Sequence, residues 1–169
     1  MSRTAQLDSR SRANPSERFL LGFDGTSLPE ELRALLAQGL AGVAIYRRNW
    51  ETIEGLCALT QEIRAAAARP VLIGMDAEPG GAFALPEPFT AWPTAAELGA
   101  LNDAKLVQRM AHAIGTELRA AGANLNFSPM LDLHAHAESP VTKDRSYGAD
   151  PRRVGALGGA HRGGVVPAG

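Results

Sequence analysis

Carboxylates and an arginine follow two of the short apolar runs in this sequence, at the places where strands would end. Asp76 and Glu78 come directly after residues 71–75, and Arg145 lies in the polar loop after residues 125–133. A carboxylate accepts protons from hydroxyls, and a guanidinium donates to oxygens in a fixed fork. These residue types indicate a ligand that is rich in hydroxyl groups. The strand-end rule also selects Asp24, Arg47, Arg48, Asn49 and Asp132.

Each of these residues also has a purely structural interpretation. A carboxylate pair suits glycosidase chemistry, whereas Asp76 and Glu78 could instead shape a tight turn into Gly80. Arg145 could be a surface arginine that pairs with its neighbour Asp144. Residue types alone leave both alternatives open.

A zinc site is a competing interpretation of the loop after Asp132. His134 and His136 form a His-x-His pair there, and two imidazoles with a carboxylate are reasonable zinc ligands, as in metal-dependent amidohydrolase barrels. The other histidines do not complete the ligand set, because His112 lies on a predicted helix and His161 in a glycine-rich stretch. We therefore predict a polar loop here, with no metal and no cofactor.

The elements that position these residues alternate along the chain. Continuous apolar runs that end near turn signals predict strands at residues 19–23, 42–46, 71–75 and 125–133. Apolar residues at helical spacing predict helices over residues 28–36, 53–63 and 107–118. A longer irregular connection is expected from residue 82 to about residue 97.

Helix ends have their own signals. Ser27 and Glu30 have the spacing of a capping box, and Gly39 suits the end of the first helix. Asp150 and Pro151 are a good first pair for a fourth helix. Several glycines are expected to weaken the later turns of that helix, namely Gly158, Gly159, Gly163 and Gly164.

Apolar strands that alternate with helices indicate an α/β fold with a parallel sheet. No glycine-rich phosphate loop follows the first strand, which disfavours a dinucleotide-binding sheet. A complete (β/α)8 barrel takes about 250 residues, and this chain has 169. We predict an incomplete (β/α)8 barrel of the TIM type over residues 19–169, with four βα units and the start of a fifth strand at residues 164–169. Residues 1–18 are expected to be a disordered polar leader.

The composition suits one globular domain in a reducing compartment. Hydrophobic residues make up 45% of the chain and charged residues 21%, close to the averages for soluble proteins. The net charge of -1 gives no reason to expect nucleic acid or a membrane as partner. The single cysteine, Cys57, cannot form an internal disulfide, and no apolar run reaches the length of a membrane span. Because the leader also lacks the apolar segment of a secretory signal, we predict a cytoplasmic protein.

Several stretches together resemble family 3 of the glycoside hydrolases. Residues 73–81 (IGMDAEPGG) are similar to the family's strand-three signature, D-x-E-G-G-R-V. Residues 126–133 (NFSPMLDL) and 139–151 (SPVTKDRSYGADP) are similar to its fourth strand and the following loop, and GFDGTSLP and AIYRRN to its first two strand ends. The resemblance extends from Phe19 to Pro151. The D-R-S-Y-G segment points to the β-N-acetylhexosaminidase branch, which includes enzymes that recycle peptidoglycan fragments, over the β-glucosidase branch.

The resemblance implies a retaining glycosidase of carbohydrate metabolism that hydrolyses O-glycosyl bonds. At matching positions, Asp76 would hydrogen-bond sugar hydroxyls and Arg145 would hold the N-acetylhexosamine-type substrate, with Glu78 as a third substrate-binding residue. The family's acid/base and nucleophile lie beyond Gly169, so no catalytic residue is expected in this chain and no turnover by it alone. A non-catalytic carbohydrate-binding or interaction module is the alternative.

The loop after the third strand departs from the family pattern. Pro79 is inserted between Glu78 and Gly80, and could turn the glutamate away from the site. Ala82 and Leu85 stand where the family and the branch have arginines. These departures change part of the surface that would recognise the sugar.

Four or five strands leave two open sheet edges and an uncovered inner face. Each large apolar side chain left exposed there forgoes about 1.5–3 kcal/mol of burial. The chain alone is therefore expected to be marginally stable and to self-associate. We expect the inner face to carry Val43, Ile45, Val71, Ile73 and Phe127.

Overall fold

In the described part of the chain, four short strands form one parallel sheet, because a helical connection returns the chain to the same end of the sheet between successive strands. The computed structural model describes residues 15–136 and 138–165. The strands are β1 (Leu20–Leu21), β2 (Gly42–Ile45), β3 (Leu72–Met75) and β4 (Leu125–Asn126). Their order in the sheet is their order in the chain, and every pair is parallel. An unreversed order is that of a barrel and not of a doubly wound sheet, so the predicted incomplete barrel is confirmed.

The fourth strand is much shorter than residues 125–133, which the apolar run predicts. Pro129 has no N–H to give to a ladder, and the chain beyond Asn126 leaves the sheet as a loop. Two side chains extend the short strand instead: the Asn124 side-chain oxygen accepts from the Ile73 amide at 2.7 Å, and the Asn126 side chain bonds both the N–H and the C=O of Ala77 at 3.2 Å. These asparagines fix the position of β4 against β3.

Within residues 15–136 and 138–165, five helices pack beside the strands. They are α1 (Glu30–Ala37), α2 (Ile53–Ala66), α3 (Ala95–Leu101), α4 (Ala104–Ala120) and α5 (Pro151–Val165). The predicted helices over residues 28–36, 53–63 and 107–118 correspond to α1, α2 and α4. The helix predicted to begin at Asp150 and Pro151 corresponds to α5. Helix α3 was not predicted, although Thr94 and Glu97 form a capping box at its start, with the Thr94 amide donating to Glu97 at 2.7 Å.

The predicted helix ends are partly right. The capping box of Ser27 with Glu30 is wrong, because Pro29 is the residue in front of α1 and makes no side-chain cap. Gly39 does end α1, with a φ of 97° that favours glycine. At α5, one oxygen of Asp150 accepts from the amides two and three residues ahead at 2.8 and 3.0 Å, as an N-cap should.

Helix α5 runs through all of its glycines and ends at Val165. A Cβ at Gly164 would lie 2.2 Å from the Gln108 carbonyl oxygen, and one at Gly158 would lie 2.3 Å from Leu131. Gly164 therefore permits close packing on α4, and Gly158 permits close packing on Leu131. The helix continues through the glycines that were expected to weaken its later turns. The predicted fifth strand is wrong at residues 164 and 165, which belong to α5, and its other residues lie outside the described part of the chain.

The two faces of the sheet are covered differently. Val43, Ile45, Val71 and Ile73 were expected on the inner face, but they are buried in the core with the apolar sides of the helices. Phe127 alone of the predicted set lies on the open face, where it is 42% exposed. The prediction shifted the other four by one residue, and one residue along a strand moves a side chain to the opposite face.

The predicted leader divides into two parts. Residues 1–14 lie outside the described range, whereas Pro15–Arg18 form a short 3-10 helix. The Ala41 amide donates to the Ser16 carbonyl at 3.0 Å, and Arg69 pairs with Glu17 at 3.6 Å. Within residues 15–136 and 138–165, no helix combines the length and the apolar character needed to cross a membrane.

Candidate functional site

The carboxyl ends of β3 and β4 bring Asp76, Glu78 and Arg145 to one rim of the sheet. Arg145 donates from Nε and Nη2 to the two oxygens of Glu78, at 2.8 and 2.7 Å. Both side chains are largely buried, at 22% and 8% exposed. A bidentate pair of this kind fixes the plane of the guanidinium. The partner of Arg145 is thus a residue of the neighbouring βα unit and not Asp144, the partner in the surface-pair alternative.

A glycine turn shapes the loop after Glu78. Gly80 and Gly81 have φ values of 58° and 69°, and a Cβ at Gly80 would lie 2.8 Å from Thr94. The turn brings the Phe83 carbonyl within 3.2 Å of the Glu78 amide, which donates to it. The Phe83 ring then lies beneath the Arg145 guanidinium, 4.2 Å from its carbon to the ring centroid. The inserted proline therefore leaves Glu78 directed at Arg145.

The charges at this rim influence one another. Burial raises the pKa of the Asp76 carboxyl, and the negative charge of Glu78 raises it further, while Arg145 acts in the opposite direction. The hydrogen bonds that Arg145 donates to Glu78 raise the pKa of Arg145, and the nearby carboxylates of Asp76 and Asp132 add to that effect. Both oxygens of Glu78 accept hydrogen bonds from Arg145, whereas Asp76 has no such bidentate partner. Asp76 is therefore the better placed of the two carboxylates to accept hydrogen bonds from a ligand.

The loop that carries Arg145 is anchored at several points. The Ser146 hydroxyl donates to the Asp132 carbonyl at 2.6 Å. The hydroxyl of Tyr147 and Nδ1 of His161 in α5 are 2.7 Å apart, and both side chains are at most 1% exposed. Burial lowers the pKa of His161 to about 4 and raises that of Tyr147. A neutral imidazole and a phenol therefore hold the loop to the helix.

A cavity of about 470 Å³ opens beside Asp76. Asp76 and Phe83 are in its lining, whereas Glu78 and Arg145 are not. Phe83 is thus shared, since its ring both lines the cavity and supports the guanidinium. The full lining is Ile45, Tyr46, Arg47, Arg48, Met75, Asp76, Ala82, Phe83, Ala84, Leu85 and Pro86.

The other polar residues at strand ends have mostly structural contacts. The side-chain nitrogen of Asn49 donates to the carbonyls of Phe23 and Gly25, each at 2.9 Å, and so holds the end of β1 against β2. Arg48 pairs with Asp24 at 2.7 Å. Arg47 lies over the Trp50 ring, 4.5 Å from the centroid, and donates to the Trp50 carbonyl. 

The geometry does not support the zinc interpretation. Nδ1 of His134 lies 2.8 Å from the Thr142 hydroxyl, and His136 is exposed to solvent. Across residues 15–136 and 138–165, no group of three or more His, Cys, Asp or Glu side chains is placed to hold a metal ion. The contacts of the histidines in the loop after Asp132 are therefore those of a polar loop, such as the hydrogen bond between His134 and Thr142.

Sequence reasoning missed Phe83, Tyr147 and His161. Phe83 had a signal, because it lies in the loop that departs from the family pattern beside Ala82. Tyr147 belongs to the D-R-S-Y-G segment, but nothing in the sequence shows that its hydroxyl meets a histidine 14 residues away. Contacts of that kind depend on how α5 packs.

Comparison with known proteins identifies relatives over most of the chain. Residues 5–167 match the Glycosyl hydrolase family 3 N terminal domain. A Beta-hexosaminidase of Thiobacillus denitrificans is 36% identical over 158 residues, which are 89% of this chain and 44% of that protein. One of Hydrogenovibrio crunogenus is 35% identical over 156 residues, which are 88% of this chain and 43% of that protein. The chain spans less than half the length of these curated relatives.

Solved structures share the fold. The structure of NagZ from Neisseria gonorrhoeae in complex with N-trifluoroacetyl-D-glucosamine matches with a TM-score of 0.78 and 30% identity, over 86% of this chain and 45% of that one. A glycoside hydrolase family 3 beta-N-acetylglucosaminidase from Paenibacillus matches with a TM-score of 0.76 and 35% identity, over 86% of this chain and 29% of that one.

Proposed function

This chain belongs to the glycosyl hydrolase family 3 N-terminal domain, and from that premise we propose that it is the sugar-binding part of a β-N-acetylhexosaminidase-type glycoside hydrolase. The observation that carries the proposal is the rim at the ends of β3 and β4. There Asp76 faces a cavity beside an arginine that Glu78 holds in a fixed plane. The names of the matched relatives and the ligand in the NagZ structure suggest an N-acetylhexosamine-type sugar.

The proposed roles follow from the donors and acceptors at the rim. The Asp76 carboxylate accepts hydrogen bonds from sugar hydroxyls, and Arg145 donates from the guanidinium edge that Glu78 leaves free. Glu78 serves the site by orienting Arg145, since both of its oxygens already accept from that residue. Asp76 and the free part of the guanidinium are therefore the groups that we propose to bind the sugar, beside the Tyr46, Arg47 and Arg48 side chains that also line the cavity.

A titration with N-acetylglucosamine, followed by NMR chemical shifts, tests this proposal. Asp76→Asn and Arg145→Lys keep size or charge but lose the acceptor charge or the fork, and each should weaken binding by about tenfold or more. Arg119→Ala, at an exposed position in the last turn of α4, should leave the affinity unchanged. Binding that is equal in all four proteins, or absent from the unaltered chain, would contradict the proposed site.

We further propose that this chain by itself does not turn over aryl N-acetyl-β-glucosaminides. Retaining hydrolysis needs an acid/base and a nucleophile on either side of the scissile bond, and the resemblance places neither in this chain. Purified protein should release no phenol above background. Release that copurifies with the chain and disappears in Asp76→Ala would overturn this claim.

The proposal also includes a setting for the protein. It has one cysteine, Cys57, which is a free thiol, and this supports a reducing compartment such as the cytoplasm. Its partners would be a sugar or glycoside and, through the open edges of the sheet, a further copy of itself; nucleic acid and membrane are not among them. Cell fractionation with an antibody to the chain would test the compartment, and recovery in the periplasm or medium would contradict it.

A further inference from the structure

The guanidinium of Arg145 is held along one edge only by its hydrogen bonds to Glu78. Its Nε and Nη2 donate to the two carboxylate oxygens at 2.8 and 2.7 Å. Two parallel bonds of this kind prevent the guanidinium from rotating within its own plane. They leave a hinge, however, because a flat group held along one edge can still tip about the line through its two donors. A contact on the face of the guanidinium is needed to stop that movement.

Phe83 provides such a contact. The guanidinium carbon lies over the ring, 4.2 Å from its centroid, which is within the range of a cation–π interaction. The Phe83 carbonyl also accepts from the Glu78 amide at 3.2 Å. The residue that binds the edge of the guanidinium therefore also fixes the backbone of the residue that lies against its face. Glu78 and Phe83 together hold Arg145 from two directions.

Burial only partly accounts for a phenylalanine at this position. Its side chain is 43% exposed, so it gains less from leaving water than an aromatic ring in the core does. The family signature D-x-E-G-G-R-V has an arginine where this chain has Ala82 and a valine where it has Phe83. Residues 76–86 contain no basic residue. The guanidinium beside this loop comes instead from Arg145, and the ring is what the loop contributes to holding it.

We propose that Phe83 is a positioning residue for Arg145, whose ring keeps the guanidinium in the orientation that binds the sugar. This inference rests on the proposed function, in which Arg145 donates to the sugar. Without the ring, the guanidinium tips about its bonds to Glu78 and spends only part of its time in the binding orientation. The apparent affinity for the sugar then falls in proportion to that fraction.

A titration with N-acetylglucosamine, followed by NMR, compares the unaltered chain with three variants of Phe83. Phe83→Ala and Phe83→Leu should each weaken binding about three- to tenfold, the fold-change that corresponds to the loss of one cation–π interaction. Phe83→Tyr keeps the ring and should stay within about twofold of the unaltered chain. Leucine keeps apolar volume without a ring. Full affinity in Phe83→Leu would therefore assign the role to packing and overturn the proposal.

Direct contact between Phe83 and the sugar is the main competing explanation, because the ring also lines the cavity. Arg145→Lys separates the two, since an ammonium group has no plane to orient. Combined with Arg145→Lys, Phe83→Ala should weaken binding by less than about twofold more, because its effect is transmitted through the guanidinium. An equal loss with and without Arg145→Lys would show that the ring contacts the sugar directly, and positioning would be wrong.

The NMR signal of the Arg145 Nε–H gives a readout that needs no sugar. The signal is assigned by its disappearance in Arg145→Lys. Phe83→Ala should shift it and speed its exchange with water, because both the ring current and the restraint are gone, whereas Phe83→Tyr should leave it in place. An unchanged signal in Phe83→Ala would overturn the proposal, even if Arg145→Lys binds the sugar too weakly for a titration.

Phe19→Ala is the matched control. Phe19 is 56% exposed and precedes β1, at the opposite end of the strands from the cavity. Its replacement should change neither the affinity nor the Nε–H signal, and circular dichroism should show that all variants are folded. If the unaltered chain does not bind the sugar, the proposed function fails and the inference fails with it. If the unaltered chain and Phe83→Ala bind equally well, the inference fails and the proposed function stands.

Discussion

The two faces of the sheet differ in how far their side chains are covered. On the face that the helices cover, Val43, Ile45, Ile73 and Met75 are each at most 1% exposed. On the open face, Leu72 and Phe127 are both 42% exposed, and small residues fill much of the area between them. A Cβ at Gly74, for example, would lie 2.4 Å from the Phe127 ring. One face is packed as a core, and the other is an apolar surface without a cover.

The difference shows where the stability and the proposed function of the chain reside. Burial stabilises in proportion to the apolar area removed from water, so the covered face provides most of the stabilisation. The rim with Asp76 and Arg145 lies where the two faces meet at the carboxyl ends of the strands. Its residues are held by contacts that reach into the covered side, such as the bond between Tyr147 and His161.

Neighbouring residues of β3 provide the largest expected contrast. Ile73→Ala should lower the free energy of unfolding by about 2–5 kcal/mol, because it leaves a cavity in the core. Leu72→Ala should lower it by less than about 1 kcal/mol, since this side chain is already 42% exposed. Urea unfolding followed by circular dichroism would measure both. Equal losses would show that the open face is packed as well as the covered one.

Acid should weaken the covered side through His161. Burial lowers its pKa from 6.5 to about 4, so between those pH values the unfolded chain binds a proton that the folded chain does not. Stability from this group is therefore present above pH 6.5 and is lost as the pH falls towards 4. The full loss is on the order of 3 kcal/mol.

Unfolding measured from pH 7 to pH 4 would check this prediction. His161→Phe should have a flatter profile over that range, because the titrating group is gone. His112→Gln, at an exposed position on α4, is the control and should follow the unaltered chain. A profile of His161→Phe that is as steep as that of the unaltered chain would assign the acid sensitivity to other groups.

Two glycines of α5 should respond to alanine with opposite signs. Gly164→Ala should destabilise by about 1–3 kcal/mol, because its Cβ would meet the Gln108 carbonyl oxygen at 2.2 Å. Gly155→Ala should stabilise by about 0.5–1 kcal/mol, since nothing lies within 4 Å of a Cβ there and alanine favours a helix. Thermal unfolding of the two variants would measure both changes in stability. A gain in both would mean that α4 and α5 are not in close contact.

The sequence predicts the order of elements well and their packing poorly. In the described part of the chain, apolar runs identify all four strands and helical spacing identifies three of the five helices. The Asp150–Pro151 pair identifies a fourth helix, and all of these signals are local. They do not say which face of a strand is covered: Ile73 and Leu72 are both apolar, and only the pairing of β3 with its neighbours decides which one is buried. The same limit applies to Gly158 and Gly164, which read as helix breakers but serve as contact points.

The same limit separates the site residues that the sequence could select from the contacts that it could not. Asp76 and Arg145 could be selected from strand ends and motif resemblance, and the structure places both at one rim. The bond between Glu78 and Arg145 and the ring of Phe83 beneath it could not be selected, because they depend on a turn at Gly80 whose path is set by contact with Thr94. A sequence predicts residue types at a rim; their mutual contacts follow from tertiary structure.

The most direct test of the open face comes from removing its apolar side chains. Leu72→Ser with Phe127→Ser should alter the free energy of unfolding by no more than about 1–2 kcal/mol, because both side chains are already 42% exposed. The same double variant should reduce self-association, since large uncovered apolar patches promote it. Sedimentation velocity at a series of concentrations, together with binding of a hydrophobic dye, would measure the effect.

The control for this double variant is Leu101→Ser. Leu101 is 63% exposed, but it lies at the end of α3 and away from the sheet, so its replacement should leave association unchanged. If the unaltered chain is a monomer at every concentration and binds no dye, the open face does not act as an association surface. If Leu101→Ser reduces association as much as the double variant does, exposed apolar area in general is responsible, because the two sites share nothing else. Only a loss confined to Leu72 and Phe127 supports the contrast between a packed face and an uncovered one.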